Sequence, residues 1–430
     1  MHHFQFKNNE LFCEDVPVRN LVEEWGTPLY IYSYRTLRRH FRTFDAAFQG
    51  YPHLVCFSVK ANSNVALLRI FINEGGGADV VSGGELFRVL RAGISPDKVV
   101  YSGIGKTEAE IDFALEAGIL MFNVESTQEL QVINQRAKAL NTKAPISFRI
   151  NPDIDPKTHP YISTGLKKNK FGIDIRRSLE EYRAAQRLEN IKIVGIDCHI
   201  GSQITAIEPF VEALCKIKQL IKKLEQENIA IQYLDLGGGL GITYDQETPP
   251  HPTEYAQAII DEIQDHNTTL ILEPGRVIVG NAGILVTKVL YTKSTTEKNF
   301  IIVDAGMNDL IRPSLYSAYQ EILPVVKSTE ETYRADIVGP ICESGDFFAR
   351  DRSIPKLQRG ELLAIMSAGA YGFAMSSNYN SRPRPAEVLV TGKDSFLIRQ
   401  REGYENLIMG ETIPPFLLDN NHPLPQCYDQ

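Results

Sequence analysis

At 430 residues the chain exceeds the length at which a single hydrophobic core stops growing, so two domains are expected. Its 43% hydrophobic and 23% charged residues are those of an ordinary soluble protein. Forty-five basic against 53 acidic residues leave a net charge of -8, which gives no general attraction to a nucleic-acid backbone, and no apolar run is long enough to cross a bilayer.

The start, Met1-His-His-Phe-Gln-Phe6, has neither the basic region nor the apolar stretch of a secretion signal, so the cytoplasm is the expected location. Six cysteines (Cys13, Cys56, Cys198, Cys215, Cys342, Cys427) show no Cys-x-x-Cys spacing and are too sparse for a disulfide framework. Most are expected to be buried thiols.

Along the chain, short apolar runs alternate with helical stretches, the pattern of a parallel sheet with helical crossovers. Strands are predicted at 53–59, 78–82, 99–102, 121–124, 146–150, 193–199, 233–236 and 269–272. Helices are predicted at 64–73, 84–92, 106–117, 126–140, 179–187, 209–227 and 252–265. In the sixth of these, Phe210, Val211, Leu214, Ile217, Ile221 and Leu224 recur near a 3.6-residue period, one face built for a core. An open doubly wound sheet could use the same elements, but eight successive units with polar motifs at the strand ends favour a closed (β/α)8 TIM barrel.

The pattern changes after Arg276. Runs at 285–292, 300–304, 332–338, 361–367 and 385–390 read as strands without comparable helices between them, a second and mostly antiparallel β domain. The expected division gives the barrel residues 30–276 and the β domain residues 1–29 and 277–430. Segment 29–32 either leads into the β domain or caps the barrel. The long stretch 151–170, rich in Pro, Asp, Lys and Thr, is expected to be mobile or functional and could cover the active site.

Four motifs at predicted strand ends read as the parts of a pyridoxal 5'-phosphate site. Lys60, in Phe57-Ser-Val-Lys-Ala-Asn62, stands where catalytic residues of barrel enzymes collect, and its amine can condense with the cofactor aldehyde. Gly237-Gly238-Gly239, after Leu234-Asp-Leu236, and Gly275 let backbone N–H groups approach a phosphate, although turn structure alone also explains glycine clusters. Glu273, in Glu273-Pro-Gly-Arg276, is placed to partner a protonated pyridine nitrogen, keeping the ring an electron sink. Arg276 offers a fork for a substrate carboxylate, with a structural salt bridge as the alternative. His199, in His199-Ile-Gly-Ser-Gln203, can stack on the ring, with Ser202 donating to the phosphate. Asp79 either orients a cofactor contact or makes a barrel-end hydrogen bond unrelated to chemistry. No His-Glu-x-x-His or clustered Cys/His spacing points to a metal, and no glycine fingerprint opens a helix after the first strand as a nicotinamide enzyme requires.

These motifs closely resemble the diaminopimelate decarboxylase family, within the alanine racemase-like fold class that also contains ornithine and arginine decarboxylases. The resemblance runs from Trp25-Gly-Thr-Pro-Leu-Tyr30 to Asn378-Tyr-Asn-Ser-Arg-Pro-Arg-Pro385. It implies decarboxylation of meso-diaminopimelate at its D-configured carbon to give L-lysine and CO2. Arg312-Pro-Ser-Leu-Tyr316 matches the family's substrate segment, implying that Arg312 and Tyr316 help Arg276 hold the nonreacting end. Cys342-Glu-Ser-Gly-Asp346 matches the cysteine-glutamate motif, implying Cys342 as proton donor and Glu343 as ligand for the distal ammonium. Gly369-Ala-Tyr-Gly372 places Tyr371 at both cofactor and substrate. The family forms head-to-tail homodimers in which the cysteine segment completes the partner's active site, and the same arrangement is implied here. The charge pattern makes chemical sense by itself, because a plain ornithine decarboxylase has no distal carboxylate for Arg276 and Arg312 to hold. An amino-acid racemase and a noncatalytic pyridoxal phosphate carrier are the remaining alternatives.

Overall fold

The structure, a computed structural model, describes residues 2–155, 170–264 and 267–417. Most of the stretch 151–170, read above as a cover for the site, lies outside the described residues, as does the expected helix end at 265.

Eight parallel strands close into a barrel: β1 (His53–Ser58), β2 (Gly77–Val80), β3 (Val99–Tyr101), β4 (Met121–Val124), β5 (Ala144–Asn151), β6 (Ile191–Asp197), β7 (Tyr233–Asp235) and β8 (Thr269–Leu272). β4 pairs with β5 through Phe122 and Ile146, and β8 returns to β1 with Leu270 opposite His53, so no edge is left open. All eight coincide with predicted runs, though β2, β3 and β6 end before Ser82, Ser102 and His199, the polar residues expected at their tips. The strands are apolar on nearly every residue because helices cover the outside and side chains fill the inside. Phe57, Phe122 and Phe148 are among the largest completely enclosed side chains.

Helices of eight residues or more follow β1 to β7, and their ends are set by local chemistry. Glu108–Ala117 opens on a Thr107–Glu110 capping box and stops at Gly118, whose φ of 73° is the left-handed conformation that glycine takes without steric cost. In Glu208–Gln226 the buried face is Phe210, Ala213, Leu214, Ile217, Leu220, Ile221 and Leu224. Val211, expected on that face, is only half-buried. After β8 there is only a four-residue helix, Arg276–Val279. The vacant place is filled from upstream by Tyr34–Ala47, which packs on Pro252–Ile263, Val65–Asn73 and Arg276–Val279. Its buried Leu37, Phe41 and Phe44 carry a helical period that the predicted element set omits.

The second domain is mostly β. One continuous path of strands runs Phe347–Pro355, Thr332–Val338, Asn299–Val303, Gly283–Ser294, Leu29–Ser33, Ala386–Thr391 and Asp394–Arg399. Most neighbours are antiparallel, but Asn299–Val303 with Thr332–Val338 and Leu29–Ser33 with Ala386–Thr391 are parallel. Segment 29–33 is therefore a central strand of the β domain, and the expected boundary at residue 30 falls inside it. Phe347–Pro355 and Asp394–Arg399 carry outward-facing charged residues, which hide the alternation that reveals a strand. No helix among the described residues is long and apolar enough to cross a membrane.

Because β5 packs its aromatic edge-on against a crossover helix, with Phe148 4.8 Å from Tyr182 and both completely buried, Phe148→Ala is expected to lower unfolding free energy by about 3–5 kcal/mol. A urea titration of the purified protein measures it; a loss below about 1 kcal/mol would show that the barrel wall repacks freely.

Candidate active site

The barrel's C-terminal face is floored by polar side chains pointing inward from successive strands. Asp79 from β2, Asn123 from β4, Asp197 from β6, Asp235 from β7 and Glu273 just after β8 are all buried. Asn123 Nδ2 donates to Asp235 Oδ2 at 3.2 Å, and Ser102 Oγ lies 3.3 Å from Glu273 Oε1. Ser147 Oγ donates to Asn123 Oδ1. Burial pushes the Glu273 carboxyl well above the ordinary range, and the neighbouring Asp235, Asp79 and Asp197 push it further. Burial also raises Asp235, to about 6, against hydrogen bonds from Gly237 N and Asn123. Burial and mutual repulsion therefore shift Glu273 and Asp235 together toward their protonated forms.

Lys60 rises from the single 3-10 turn Val59–Ala61 that ends β1, and Nζ donates to Asp79 Oδ2 at 2.8 Å. Burial of the ammonium lowers its pKa, but the charges of Asp79 and Glu273 outweigh that effect and hold the pKa above its usual value. Ser58 Oγ shares Asp79 Oδ2 at 2.9 Å. Asp79 is thus a direct partner of the lysine amine.

Above this floor lies a cavity of about 410 Å³ bordered by Lys60, His199, Ser202, Gly238, Gly239, Glu273, Gly275, Arg276, Arg312, Tyr316 and Tyr371. His199 is seated by the glycine turn: Gly238 N donates to its Nδ1 at 3.0 Å. Gly237 has φ 62°, and a Cβ there would stand 2.4 Å from the same nitrogen, so only glycine allows the approach. The Gly238 amide, expected to face a phosphate, is directed at the imidazole instead. Burial, with Arg149 and Lys60 nearby, holds His199 well below its usual pKa, so it is a neutral ring whose Nδ1 accepts.

Arg276 donates from Nη1 to Tyr244 Oη at 2.8 Å and from Nη2 to Ser202 Oγ at 3.1 Å, and its guanidinium stacks 4.8 Å from the Tyr371 ring. Its Nε is buried without a partner among the described residues. Arg312 stacks 4.3 Å from the Tyr244 ring, and with the Gln320 amide oriented to satisfy its neighbours its oxygen accepts from Nη1 at 2.9 Å. Burial lowers the Arg312 pKa, and Arg276 adds to the effect. Neither arginine forms an ion pair among the described residues. A salt bridge at Arg276, the structural alternative, is therefore not found among the described residues. Tyr371 has the left-handed φ of 56° and donates its backbone N–H to Ala61 O at 2.8 Å, beside Lys60.

Two predicted residues are not brought to this cavity. Cys342 and Glu343 are exposed on a turn of the β domain held by Asp346, which accepts from Ile341 N at 2.7 Å and Met307 N at 2.6 Å. Sequence reasoning omitted Tyr244 and Glu247, both at the cavity. Tyr244 joins the two arginines, and Glu247 Oε2 braces the loop by accepting from the backbone of Tyr244 and Asp245. Neither has a motif of its own. Asn123, Asp197 and Asp235 were findable, since each is a polar residue inside an otherwise apolar strand.

The residues fit pyridoxal phosphate. A proton-holding carboxyl matches a pyridine nitrogen, a neutral imidazole matches the ring face, and an orphaned guanidinium N–H matches an anion. If the acidic floor is as described, replacing Asp235 should alter the pH profile of stability. A carboxyl with a folded pKa near 6 and an unfolded value of 3.8 contributes stability that is lost as pH rises between them. Stability of the wild type relative to Asp235→Asn is expected to fall from about pH 4 to just above pH 6, followed by chemical unfolding; parallel profiles would contradict the protonated floor.

Comparison with known proteins agrees. Residues 34–280 match the family model described as the pyridoxal binding domain of pyridoxal-dependent decarboxylases. The diaminopimelate decarboxylase of Vibrio cholerae serotype O1 is 53% identical over 417 residues, covering 96% of this chain and 100% of that protein. That of Aquifex aeolicus is 53% identical, covering 94% and 96%. The crystal structure of diaminopimelate decarboxylase from M. jannaschii in complex with L-lysine superposes with a TM-score of 0.93 at 41% identity, covering 97% of this chain and 100% of that one. With 57% of its length in the pyridoxal-binding module, roughly half of its residues shared with full-length relatives and the site assembled at the barrel mouth, the chain belongs to the diaminopimelate decarboxylase family of pyridoxal-dependent enzymes.

Proposed function

We propose that this chain acts on meso-2,6-diaminopimelate at its D-configured centre, in a site that a second copy of the chain completes. Like its family, the protein is a pyridoxal 5'-phosphate-dependent decarboxylase that converts diaminopimelate to lysine. What supports the proposal is the pair of buried guanidiniums, Arg276 and Arg312, which face the cavity of Lys60 and form no ion pair among the described residues. A substrate with a second, nonreacting carboxylate supplies the missing anion; ornithine does not.

When bound, pyridoxal phosphate supplies a conjugated pyridinium that accepts the electron pair left as CO2 departs. Lys60 would hold its aldehyde. Glu273 would give its proton to the ring nitrogen and remain as the anionic partner, while neutral His199 lies against the ring. Ser202, Gly239 and Gly275 would border the phosphate. Tyr316 and Tyr371 would close on the substrate, whose distal carboxylate bridges Arg276 and Arg312.

Cys342 would deliver the proton to the carbon that lost CO2, and Glu343 would take the distal ammonium. Both belong to the partner's site in this reading, a head-to-tail homodimer. What supports it is that a braced turn presents both side chains to solvent, away from the cavity of their own chain. The same reading assigns the alanine racemase-like (β/α)8 barrel to the region 30–276, adjusted for the strand Leu29–Ser33, with the β domain completing it from 1–29 and 277–430, in the cytoplasm.

Incubation with meso-diaminopimelate should release CO2 and yield lysine of L configuration by chiral chromatography, with little turnover of ornithine. Ornithine turnover at a comparable rate would refute the role of the arginine pair. For the shared site, mixing inactive Lys60→Ala and Cys342→Ala proteins should restore about a quarter of wild-type activity, since half the dimers are hybrid and each hybrid has one intact site. No recovery after demonstrated subunit exchange would place Cys342 outside the partner's site.

A further inference from the structure

A second basic concavity lies away from the Lys60 cavity and shares no lining residue with it. This groove, of about 790 Å³, runs between the first two barrel helices, Val65–Asn73 and Gly83–Arg91, and the edge strand Asp394–Arg399. Four arginines line it: Arg69, Arg88, Arg91 and Arg399. In a protein of net charge -8, such a concentration is a local feature with no counterpart in the overall field.

Two of the guanidiniums are anchored without being neutralised. Arg69 Nη1 donates to Ala92 O at 2.9 Å and Arg88 Nη1 to Ser63 O at 3.2 Å, both uncharged carbonyls. Arg69, Arg88 and Arg91 form no ion pair among the described residues. Arg399 alone has a carboxylate, with Nε 2.5 Å from Glu387 Oε2, and it stacks 4.6 Å from Phe373. Glu387 is completely buried and also accepts from Tyr32 Oη and Asn64 Nδ2, so its charge is turned inward. Burial and the like charges of Arg399 and Arg384 lower the Arg88 pKa, with Glu387 and Glu85 opposing them. Arg384 is itself paired with Glu402. The N-terminal end of Val65–Asn73 brings a positive partial charge to the groove and the C-terminal end of Gly83–Arg91 a negative one, so the arginines set its sign.

Like charges held together by bonds to neutral groups repel one another unless an anion sits between them. Arginine forks engage phosphoryl oxygens in pairs, and a tetrahedral group with several such oxygens can take donors from two helices and a strand together. The groove's size suits a molecule from pyrophosphate to a nucleotide. We propose that this groove is a binding site for a compact anion with adjacent phosphoryl groups, separate from the reacting centre.

The test is calorimetric titration of inorganic pyrophosphate into the cofactor-loaded enzyme at low ionic strength, so that the cofactor's own phosphate site is filled. Saturable binding at one site per chain is expected, weakened roughly tenfold or more in Arg88→Gln/Arg91→Gln. Arg334→Gln, at an exposed arginine on the β domain, should bind as the wild type does. Should the double variant fail to fold, Arg91→Gln on the exposed helix surface should still show weakened binding. Parallel titration with ADP separates the sources, since tighter binding than pyrophosphate identifies a nucleotide and weaker binding an inorganic anion. Absence of saturable pyrophosphate binding, an unchanged dissociation constant in the arginine variants, or tighter binding of citrate than of pyrophosphate would each overturn the proposal.

Discussion

The pairing of the last barrel strand with the first is the contact on which the site depends. With Leu272 opposite Val55, the chain beyond each strand emerges at the same point, and Ser58 N donates to Pro274 O at 3.0 Å. Ser58 and Glu273, 215 positions apart, are thereby in direct contact, with Lys60 and Arg276 following each of them. Closure also forces inward every side chain of one parity along each strand. A polar residue at such a position has no access to water from the outside and must find its partner within the barrel.

The resulting charge distribution is directional. Carboxyl groups of Asp79, Asp197, Asp235 and Glu273 lie at the floor, while Arg276 and Arg312 stand at the rim. Burial and mutual repulsion raise the pKa values of Glu273, Asp197 and Asp235 together. A ligand with a basic nitrogen at one end and anions at the other is oriented by this gradient before any specific hydrogen bond forms. The reverse orientation would press an anion against the carboxyl floor and leave both arginines unneutralised.

This arrangement was legible in the sequence to the extent that it depends on local signals. Lys60, His199 and the segment 273–276 follow apolar strands, and periodicity locates those strands. Tyr244 could not be found in that way, since its role comes from a loop that folds it between Arg276 and Arg312. The helix Tyr34–Ala47 carried its signal openly in Leu37, Phe41 and Phe44, but an alternating strand-then-helix scheme has no place for a helix ahead of the first strand. Strand Leu29–Ser33 is buried on every residue and so lacks the two-residue alternation that would mark it as half-exposed. The boundary at residue 30 was misplaced for the same reason. Cys342 and Glu343 are exposed on their β-domain turn, away from their own chain's cavity, as the arrangement implied by the family resemblance requires.

The β domain does more than carry Arg312, for it clamps the turn that bears Lys60. Tyr371 N donates to Ala61 O at 2.8 Å, Asn62 Nδ2 to Gly369 O at 3.1 Å, and Asn64 Nδ2 to Glu387 Oε2 at 2.9 Å. Glu387 also accepts from Tyr32 Oη at 2.8 Å, so one buried carboxylate ties the turn to both parallel strands, Leu29–Ser33 and Ala386–Thr391. Gly369 is pressed so closely on Val279 O that a side chain there would overlap it. These bonds involve three of the four residues that follow Lys60, so any rotation of one domain against the other would displace the lysine from Asp79. Domain packing and lysine placement are therefore a single constraint, and the left-handed backbone of Tyr371 is the local strain by which that constraint is met.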